Sequence, residues 1–182
     1  ALDEALRIRQ QVSLPALQQL GAVGEIAVCQ GGIADIFQAR GQLDEALRIR
    51  EKEQLPVYRR LGDVRAIAVC QGRIADILQA RGQFDEALRI REQEELPVFR
   101  HLGDVREIAI CQSKIADILE ARGQLDEALR IHQQESLPAF MRLGDVCAVA
   151  ICQGRIADIF QARGQLDEAL RILQQKSLPT LK

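Results

Sequence analysis

The sequence predicts an all-α fold, a solenoid built from antiparallel helix pairs. The first observation is a repeat of 41 residues, marked by the glycine before each LDEAL or FDEAL run, at Gly41, Gly82, Gly123 and Gly164. The second is the regular placement of helix start and stop signals within each repeat. The third is a composition of 47% hydrophobic and 27% charged residues with only five prolines. A repeat of this length is typical of solenoids, in which each unit buries its apolar face only against its neighbours.

The repeat divides residues 1–182 into a single array. We expect a half repeat at 1–21 and full repeats at 22–62, 63–103, 104–144 and 145–182. The sequence begins inside a repeat, at Ala1-Leu2-Asp3-Glu4-Ala5-Leu6, and has no initiating Met. This start indicates a segment cut from a longer array.

Each full repeat contains start and stop signals for two helices. The run Asp104 to Arg122, called helix A, begins with an Asp that can cap the first amides and ends before Gly123. The run Leu125 to Leu143, called helix B, carries two acidic residues in its first turn and ends before Gly144. Links of two or three residues make neighbouring helices antiparallel. We therefore expect nine helices and no strand.

Helix B contains a Leu-Pro dipeptide near its middle that disturbs the helical pattern. A straight helix starting at Phe84 would place Arg91 and Glu95 at the centre of its apolar face, whereas Leu96 and Phe99 define a rotated face. Proline lacks an amide N–H and disfavours helical geometry in the preceding residue, at a cost of roughly 3 kcal/mol inside a helix. We therefore predict a kink or break wherever Leu-Pro recurs, at Pro15, Pro56, Pro97, Pro138 and Pro179.

Helix A presents a second face that is our candidate partner-binding groove. Its residues in the second, third and fourth repeats are Arg65, Val69, Gly72, Arg73, Asp76, Gln79, Arg106, Ile110, Ser113, Lys114, Asp117, Glu120, Ile151 and Asp158. We expect apolar ligand side chains over the β-branched positions and basic ligand groups near Asp76 and Asp117. Two alternatives stay open: neighbouring helices cover the β-branched residues, or the carboxylates pair with basic residues one turn away. Likewise, either a ligand or a neighbouring helix approaches the mid-helix glycines.

No residues form a catalytic or metal-binding pattern. Four cysteines recur at the repeat period, at Cys29, Cys70, Cys111 and Cys152, and one thiol for each repeat does not make a tetrahedral metal site. We interpret them as small buried residues and expect Cys147 to be exposed. His101 and His132 stand where other repeats carry residues such as Arg60 and Arg50, so we assign them no catalytic role. No metal or cofactor is expected.

Composition also limits the partners. The chain has five Phe, one Tyr and no Trp, which gives little surface for stacking on bases. The formal charge is −2 with basic and acidic residues mixed, a pattern unlike a nucleic-acid or anionic-membrane surface. No targeting segment is evident. We expect a protein or peptide partner, no nucleic acid, no membrane and a cytoplasmic location.

The repeat resembles the tetratricopeptide repeat (TPR), in a long variant with a 41-residue period. The corresponding positions are Gln71, Ile74, Ala75 and Leu78, then Gly82, Ala87 and Arg91, together with the Leu102-Gly103-Asp104 turn. The small, apolar and turn positions of the motif fit, and its aromatic positions do not. The resemblance implies a right-handed superhelix whose A helices line a concave groove that receives peptides or partner helices. Family members that clamp a C-terminal carboxylate place Lys and Asn where this chain has Gly72 and Asp76, so the resemblance does not extend to that clamp.

We interpret the chain as a non-catalytic protein–protein interaction scaffold, a sensor or docking segment of a larger protein. The alternative is a structural array that associates end to end, because the repeats are nearly identical. That alternative uses apolar residues of the first and last helices, namely Leu2, Ala5, Leu6, Ile8, Leu166, Ala169, Leu170, Ile172 and Leu173. An enzyme that uses the cysteines is a distant third.

Overall fold

The structure, a computed structural model, describes residues 2–176, and within this range every regular element is a helix. In these residues nine helices follow one another, as the sequence predicts. Five are B helices: α1 (2–20), α3 (43–61), α5 (84–102), α7 (125–143) and α9 (Leu166–Lys176). Four are A helices: α2 (Val23–Ala39), α4 (Val64–Ala80), α6 (Val105–Ala121) and α8 (Val146–Ala162). Pro179 lies outside the described residues.

The A helices begin and end where their sequence signals place them. The side chains of Asp63, Asp104 and Asp145 cap α4, α6 and α8, each accepting a hydrogen bond from an amide of the first turn, at 2.9 to 3.1 Å. Gly103 and Gly123, on either side of α6, have φ of 67° and 76°, values that an L side chain rarely adopts. These turns are short enough to return the chain antiparallel to itself.

The B helices do not break at the Leu-Pro dipeptides of the described residues. Of the predicted kink or break, the break is therefore wrong, and the local irregularity takes the form of a π turn. Five π-helical residues precede each dipeptide, at Arg9–Ser13, Arg50–Gln54, Arg91–Glu95 and His132–Ser136. The amide of Leu96 donates to the carbonyl of Arg91, five residues earlier, and the backbone of Leu96 stays helical at φ −59° and ψ −42°. A π turn holds one more residue than an α turn. It therefore rotates the following residues by about 100° and brings Leu96 onto the buried face without interrupting the helix.

Contacts divide the chain into two compact units, Ala1–Val98 and Phe99–Lys182. In the first unit, α2 packs on α3 and α4 packs on α5. The core there consists of small and branched aliphatic side chains, such as Ala27, Ile33, Ala46, Ile49 and Ile77. Arg81, at the end of α4, forms an ion pair of 3.0 Å with Asp44 in the first turn of α3.

The second unit contains the end of α5 and helices α6 to α9. Its core includes Ile118, Phe140, Ile156 and Ile159, which are buried between the A and B helices. Arg163 pairs with Asp126 at 3.1 Å, which reproduces the Arg81–Asp44 pair of the first unit. None of the described helices has the length and apolar character needed to cross a membrane.

Candidate functional site

The A helices bury one face and expose the other, as the helical pattern predicts. In α4 the buried face carries Ala68, Cys70, Ile74 and Ile77, whereas Val69 on the opposite face is exposed. The equivalent Val28 of α2 and Ile151 of α8 are exposed as well. These β-branched side chains are therefore not covered by the B helices of their own units.

In the first unit, the exposed faces of α2 and α4 border a cleft of about 410 Å³. Val28 and Val69 form its apolar part, and Arg65 and Arg73 stand exposed at its rim. Its other lining residues are Gly31, Gly32, Asp35, Arg50, Gln54, Tyr58, Asp63, Ala66 and Cys70. We call this cleft 1.

In the second unit, α6 and α8 border a smaller cleft of about 280 Å³, which we call cleft 2. It is lined by Ile110, Ser113, Lys114, Asp117, Phe140, Ala148, Ile151 and Arg155. Ile110 and Ile151 stand at the repeat positions that Val28 and Val69 occupy in cleft 1. The two clefts are thus the same feature of the repeat, formed once in each unit.

The structure brings some of the predicted groove residues together and separates others. Cleft 1 contains Arg65, Val69 and Arg73, and cleft 2 contains Ile110, Ser113, Lys114, Asp117 and Ile151. The predicted residues that line neither cleft are Gly72, Asp76, Gln79, Arg106, Glu120 and Asp158. Of these, Gly72 is buried, and Arg106 pairs with Asp145 at the turn between α7 and α8.

Gly72 and Asp76 belong to a buried ionic cluster in the repeat 63–103. Arg91 of α5 is only 2% exposed, and its guanidinium donates to Asp76 at 2.6 Å, to Glu95 at 2.6 Å and to the carbonyl of Gly72 at 3.3 Å. Glu95 is buried as well. By contrast, Arg73, the expected partner of Asp76, lies 4.0 Å from it. The main partner of Asp76 is therefore on the neighbouring helix.

This cluster also explains the glycine in the middle of α4. A Cβ atom at Gly72 would overlap the carboxylate of Glu95, and one at Gly31 would overlap the side-chain amide of Gln54. The close approach that offsets the low helix propensity of glycine is made by a neighbouring helix at these two positions. Of the two sources of approach that the sequence leaves open, the neighbouring helix is the one observed.

The repeat 22–62 has a milder form of the same cluster. Buried Arg50 pairs with Asp35 and donates to Gln54 at 2.8 Å, while Gln54 donates to the carbonyl of Ala27 at 3.1 Å. Cys70 contributes its thiol, which lies 3.4 Å from the amide oxygen of Gln54. Burial raises the pKa of Cys70 to about 11, so the thiol stays protonated at neutral pH.

In the repeat 104–144 the cluster is replaced by smaller, neutral groups. His132 and Ser136 stand in the places of Arg91 and Glu95, and both are fully buried. Nδ1 of His132 lies 3.5 Å from the thiol of Cys152, and Nε2 lies 3.8 Å from Asp117. Asp117 is also 3.3 Å from Arg155. Ser113 replaces the glycine, which fits the smaller Ser136 opposite it.

The arrangement of Cys152, His132 and Asp117 does not form a nucleophilic site. Burial, assisted by the negative charge of nearby Asp117, raises the pKa of Cys152 to about 12. Burial, assisted by Arg155, lowers the pKa of His132 to about 4. Thiolate chemistry needs a lowered thiol pKa and access to a substrate. This thiol has a raised pKa and is buried, so the triad is a structural contact.

The remaining thiols are placed as the sequence predicts. Cys29, Cys70 and Cys111 are buried, Cys147 is exposed, and none of the five cysteines, all within the described residues, forms a disulfide. Between residues 2 and 176 no three side chains of His, Cys, Asp or Glu lie close enough to hold a metal ion.

Sequence reasoning missed the buried cluster because it treated the positions of Arg91 and Glu95 as evidence for a kink or break in the helix. The sequence did contain a signal, because equivalent positions of successive repeats change together. Arg and Gln, Arg and Glu, and His and Ser stand four residues apart in successive B helices, and glycine or serine stands at the facing A-helix position. This correlated change of size and charge indicates that the residues face each other.

Comparison with solved structures shows the same architecture in other repeat proteins. BtubC (BKLC) from P. vanneervenii matches 98% of this chain and 81% of its own, with 16% identity and a TM-score of 0.70. A protein of Podosopora anserina, described as a kinesin light chain with nearly identical TPR-like repeats, matches with 22% identity and a TM-score of 0.67. That match covers 96% of this chain and 90% of the other.

A point variant of the Podosopora protein gives 21% identity, the same coverage and a TM-score of 0.69. No protein-family model matches the chain, and no curated protein sequence does. At these identities the likeness concerns the fold, and it confirms that the chain has the TPR-like repeat fold.

Proposed function

We propose that this TPR-like chain is a non-catalytic scaffold whose A helices hold an extended peptide or a partner helix, at cleft 1 in the first unit and, separately, at cleft 2 in the second. The observation that carries the proposal is the exposure of Val28, Val69 and Ile151 at equivalent positions that line concave surfaces. Exposed aliphatic side chains in a cleft gain free energy when a ligand covers them, about 25 cal/mol for each Å² buried. Similar repeat units provide similar subsites along the chain.

The charge of the clefts favours acidic ligand groups. Cleft 1 is lined by three basic residues, Arg50, Arg65 and Arg73, against two acidic ones, Asp35 and Asp63. Cleft 2 is lined by Lys114 and Arg155 against Asp117. In cleft 2, Asp117 is held by Arg155. The sequence-based expectation of basic ligand groups at Asp76 loses support because Arg91 already binds that carboxylate. We therefore propose ligands that combine spaced aliphatic side chains with acidic residues.

Selection from a phage-displayed peptide library tests this proposal. We expect the selected peptides to share such a pattern, and to bind at least tenfold more weakly to the variant of the cleft that they occupy, Val69→Glu for cleft 1 or Ile151→Glu for cleft 2. Val12→Glu is the matched control, because Val12 is 58% exposed, close to the 59% of Ile151, and lines neither cleft. Peptides that bind all four proteins equally would place the binding site elsewhere.

A second candidate function is end-to-end self-association, which the surface of α9 favours. Leu170 is 54% exposed, whereas the equivalent Leu129 of α7 is 8% exposed. Leu166 and Leu173 extend this apolar surface. Light scattering of the chain and of a Leu170→Glu variant tests the idea. A mass that rises with concentration only in the parent chain supports self-association, and a strict monomer at millimolar concentration rejects it.

We also propose a cytoplasmic location, because five cysteines without a disulfide, one of them exposed, suit a reducing compartment.

A further inference from the structure

A row of exposed aliphatic side chains lies at the turns that lead from a B helix into an A helix in the second unit. Leu102 and Val105 flank the turn between α5 and α6, and Leu143 and Val146 flank the turn between α7 and α8. Val146 is 79% exposed, and Met141 beside it is 62% exposed. We call these five residues the turn ridge. None of them lines cleft 2.

The two turns are neighbours in space, so the turn ridge is a continuous surface. Arg106, at the start of α6, forms an ion pair of 2.8 Å with Asp145, the cap of α8. Helices α6 and α8 also pack directly against each other. The five side chains together expose on the order of 400 Å², the size at which an apolar patch on a folded protein is often an interaction site.

Three arginines, Arg100, Arg106 and Arg142, and three acidic residues, Asp104, Glu107 and Asp145, stand at the two turns of the turn ridge, and the carboxylates have partners within the protein. Arg100 and Arg142 are exposed beside it. Asp104 and Asp145 are engaged as helix caps, and Asp145 is also neutralised by Arg106. An approaching partner therefore meets the exposed guanidinium groups of Arg100 and Arg142 beside an aliphatic surface, which favours a partner that carries carboxylates.

We propose that the turn ridge binds an acidic amphipathic helix of a protein partner. Packed helices lie roughly 8–10 Å apart. Side chains at positions i and i+7 of an α-helix lie about 10 Å apart along its axis, so successive aliphatic residues of such a partner meet successive turns. The ridge contains no aromatic residue, whereas surfaces that enter the membrane interface are typically rich in Trp, Tyr or Phe. A protein helix is therefore the better fit.

A designed peptide of about six helical turns is the probe. It carries leucines at a spacing of three and four residues and glutamates on its remaining face, and its control has lysine in place of each glutamate. Methyl NMR of the whole 182-residue chain locates the contact. We expect shifts at Leu102, Val105, Leu143 and Val146 with the acidic peptide, no saturable shifts with the basic peptide, and weaker binding at higher salt.

Two variants separate the ridge from the clefts. Met141→Glu combined with Val146→Glu reverses the character of the ridge at exposed positions, and we expect it to weaken binding of the acidic peptide at least tenfold. Ile151→Glu, the cleft 2 variant, leaves that binding unchanged. Equal binding of both peptides, shifts confined to Ile110 and Ile151, or binding only to vesicles of anionic lipid would each overturn the proposal. The test of the proposed function uses variants of Val69 and Ile151, whereas the turn ridge is tested with variants of Met141 and Val146. A negative result for the turn ridge therefore leaves the proposed function of the clefts undecided.

Discussion

The repeats 63–103 and 104–144 fill the space between helix A and helix B at equivalent positions with different side chains. In the first, Arg91 is buried between two carboxylates, and Gly72 makes room for Glu95. In the second, His132 and Ser136 fill less space and carry no charge on the B helix, and Ser113 fills part of the room that a glycine leaves. The comparison teaches that the TPR-like fold does not require an ion cluster at this position. It requires that the facing side chains match in volume and that the A-helix aspartate has a partner.

The largest expected loss of stability comes from removing the guanidinium of Arg91, which Asp76 and Glu95 share. Arg91→Ala leaves Asp76 and Glu95 buried without their guanidinium, and breaking a buried ion pair in this way costs about 3–5 kcal/mol. We expect His132→Ala to cost clearly less, because it leaves no second buried carboxylate on the B helix. Urea unfolding followed by circular dichroism measures both. Equal losses would show that the two repeats do not differ in this respect.

The next largest loss of stability is expected from a larger side chain at position 72. Gly72→Ser places a side chain against Glu95, and overpacking of this kind costs about 1–3 kcal/mol. Adding Glu95→Ser reproduces the serine pair of the next repeat, so the double variant should lose less than the sum of the two single variants. The same unfolding experiment applies. Strict additivity would mean that the two positions do not constrain each other.

A pH dependence of stability should come from the neutral repeat. The pKa of His132 falls from 6.5 to about 4 on folding, so the unfolded chain binds its proton more readily than the folded chain does. The stability contributed by neutral His132 is complete above pH 6.5 and is lost as the pH falls toward 4. Between about pH 7 and pH 5 we expect a loss of about 2 kcal/mol. His132→Leu, which copies Leu173 of the last repeat, should remove this part of the pH dependence, and an unchanged profile would contradict the assignment.

The smallest loss of stability is expected from removing an exposed ion pair, which can be compared with the buried ion pairs of Arg91 in the same repeat. Arg89 pairs with Glu86 at 2.7 Å on the surface of α5. Because both side chains are about half exposed, Arg89→Ala should cost less than about 0.5 kcal/mol. A loss comparable to that of Arg91→Ala would show that burial does not control the strength of these pairs.

The sequence determined the number, order and limits of the helices. The capping aspartates, such as Asp104, and the glycines at the turns act within a few residues of their position in the chain, so local chemistry fixes where each helix begins and ends. The exposed positions of the candidate clefts also followed from local pattern, because Val69 and Ile151 stand on the helix face opposite the buried cysteines.

Only the tertiary structure decided how the B helices continue through Leu-Pro and what their polar residues do. From sequence, a straight helix would have placed Arg91 and Glu95 at the centre of the apolar face, and a kink or break at Leu-Pro was predicted instead. The free energy of burying them depends on Asp76 and on the space above Gly72, which belong to another helix, and no local pattern contains that information. The π turn is the local consequence, since it keeps Arg91 and Glu95 facing the A helix while it rotates Leu96 into the core.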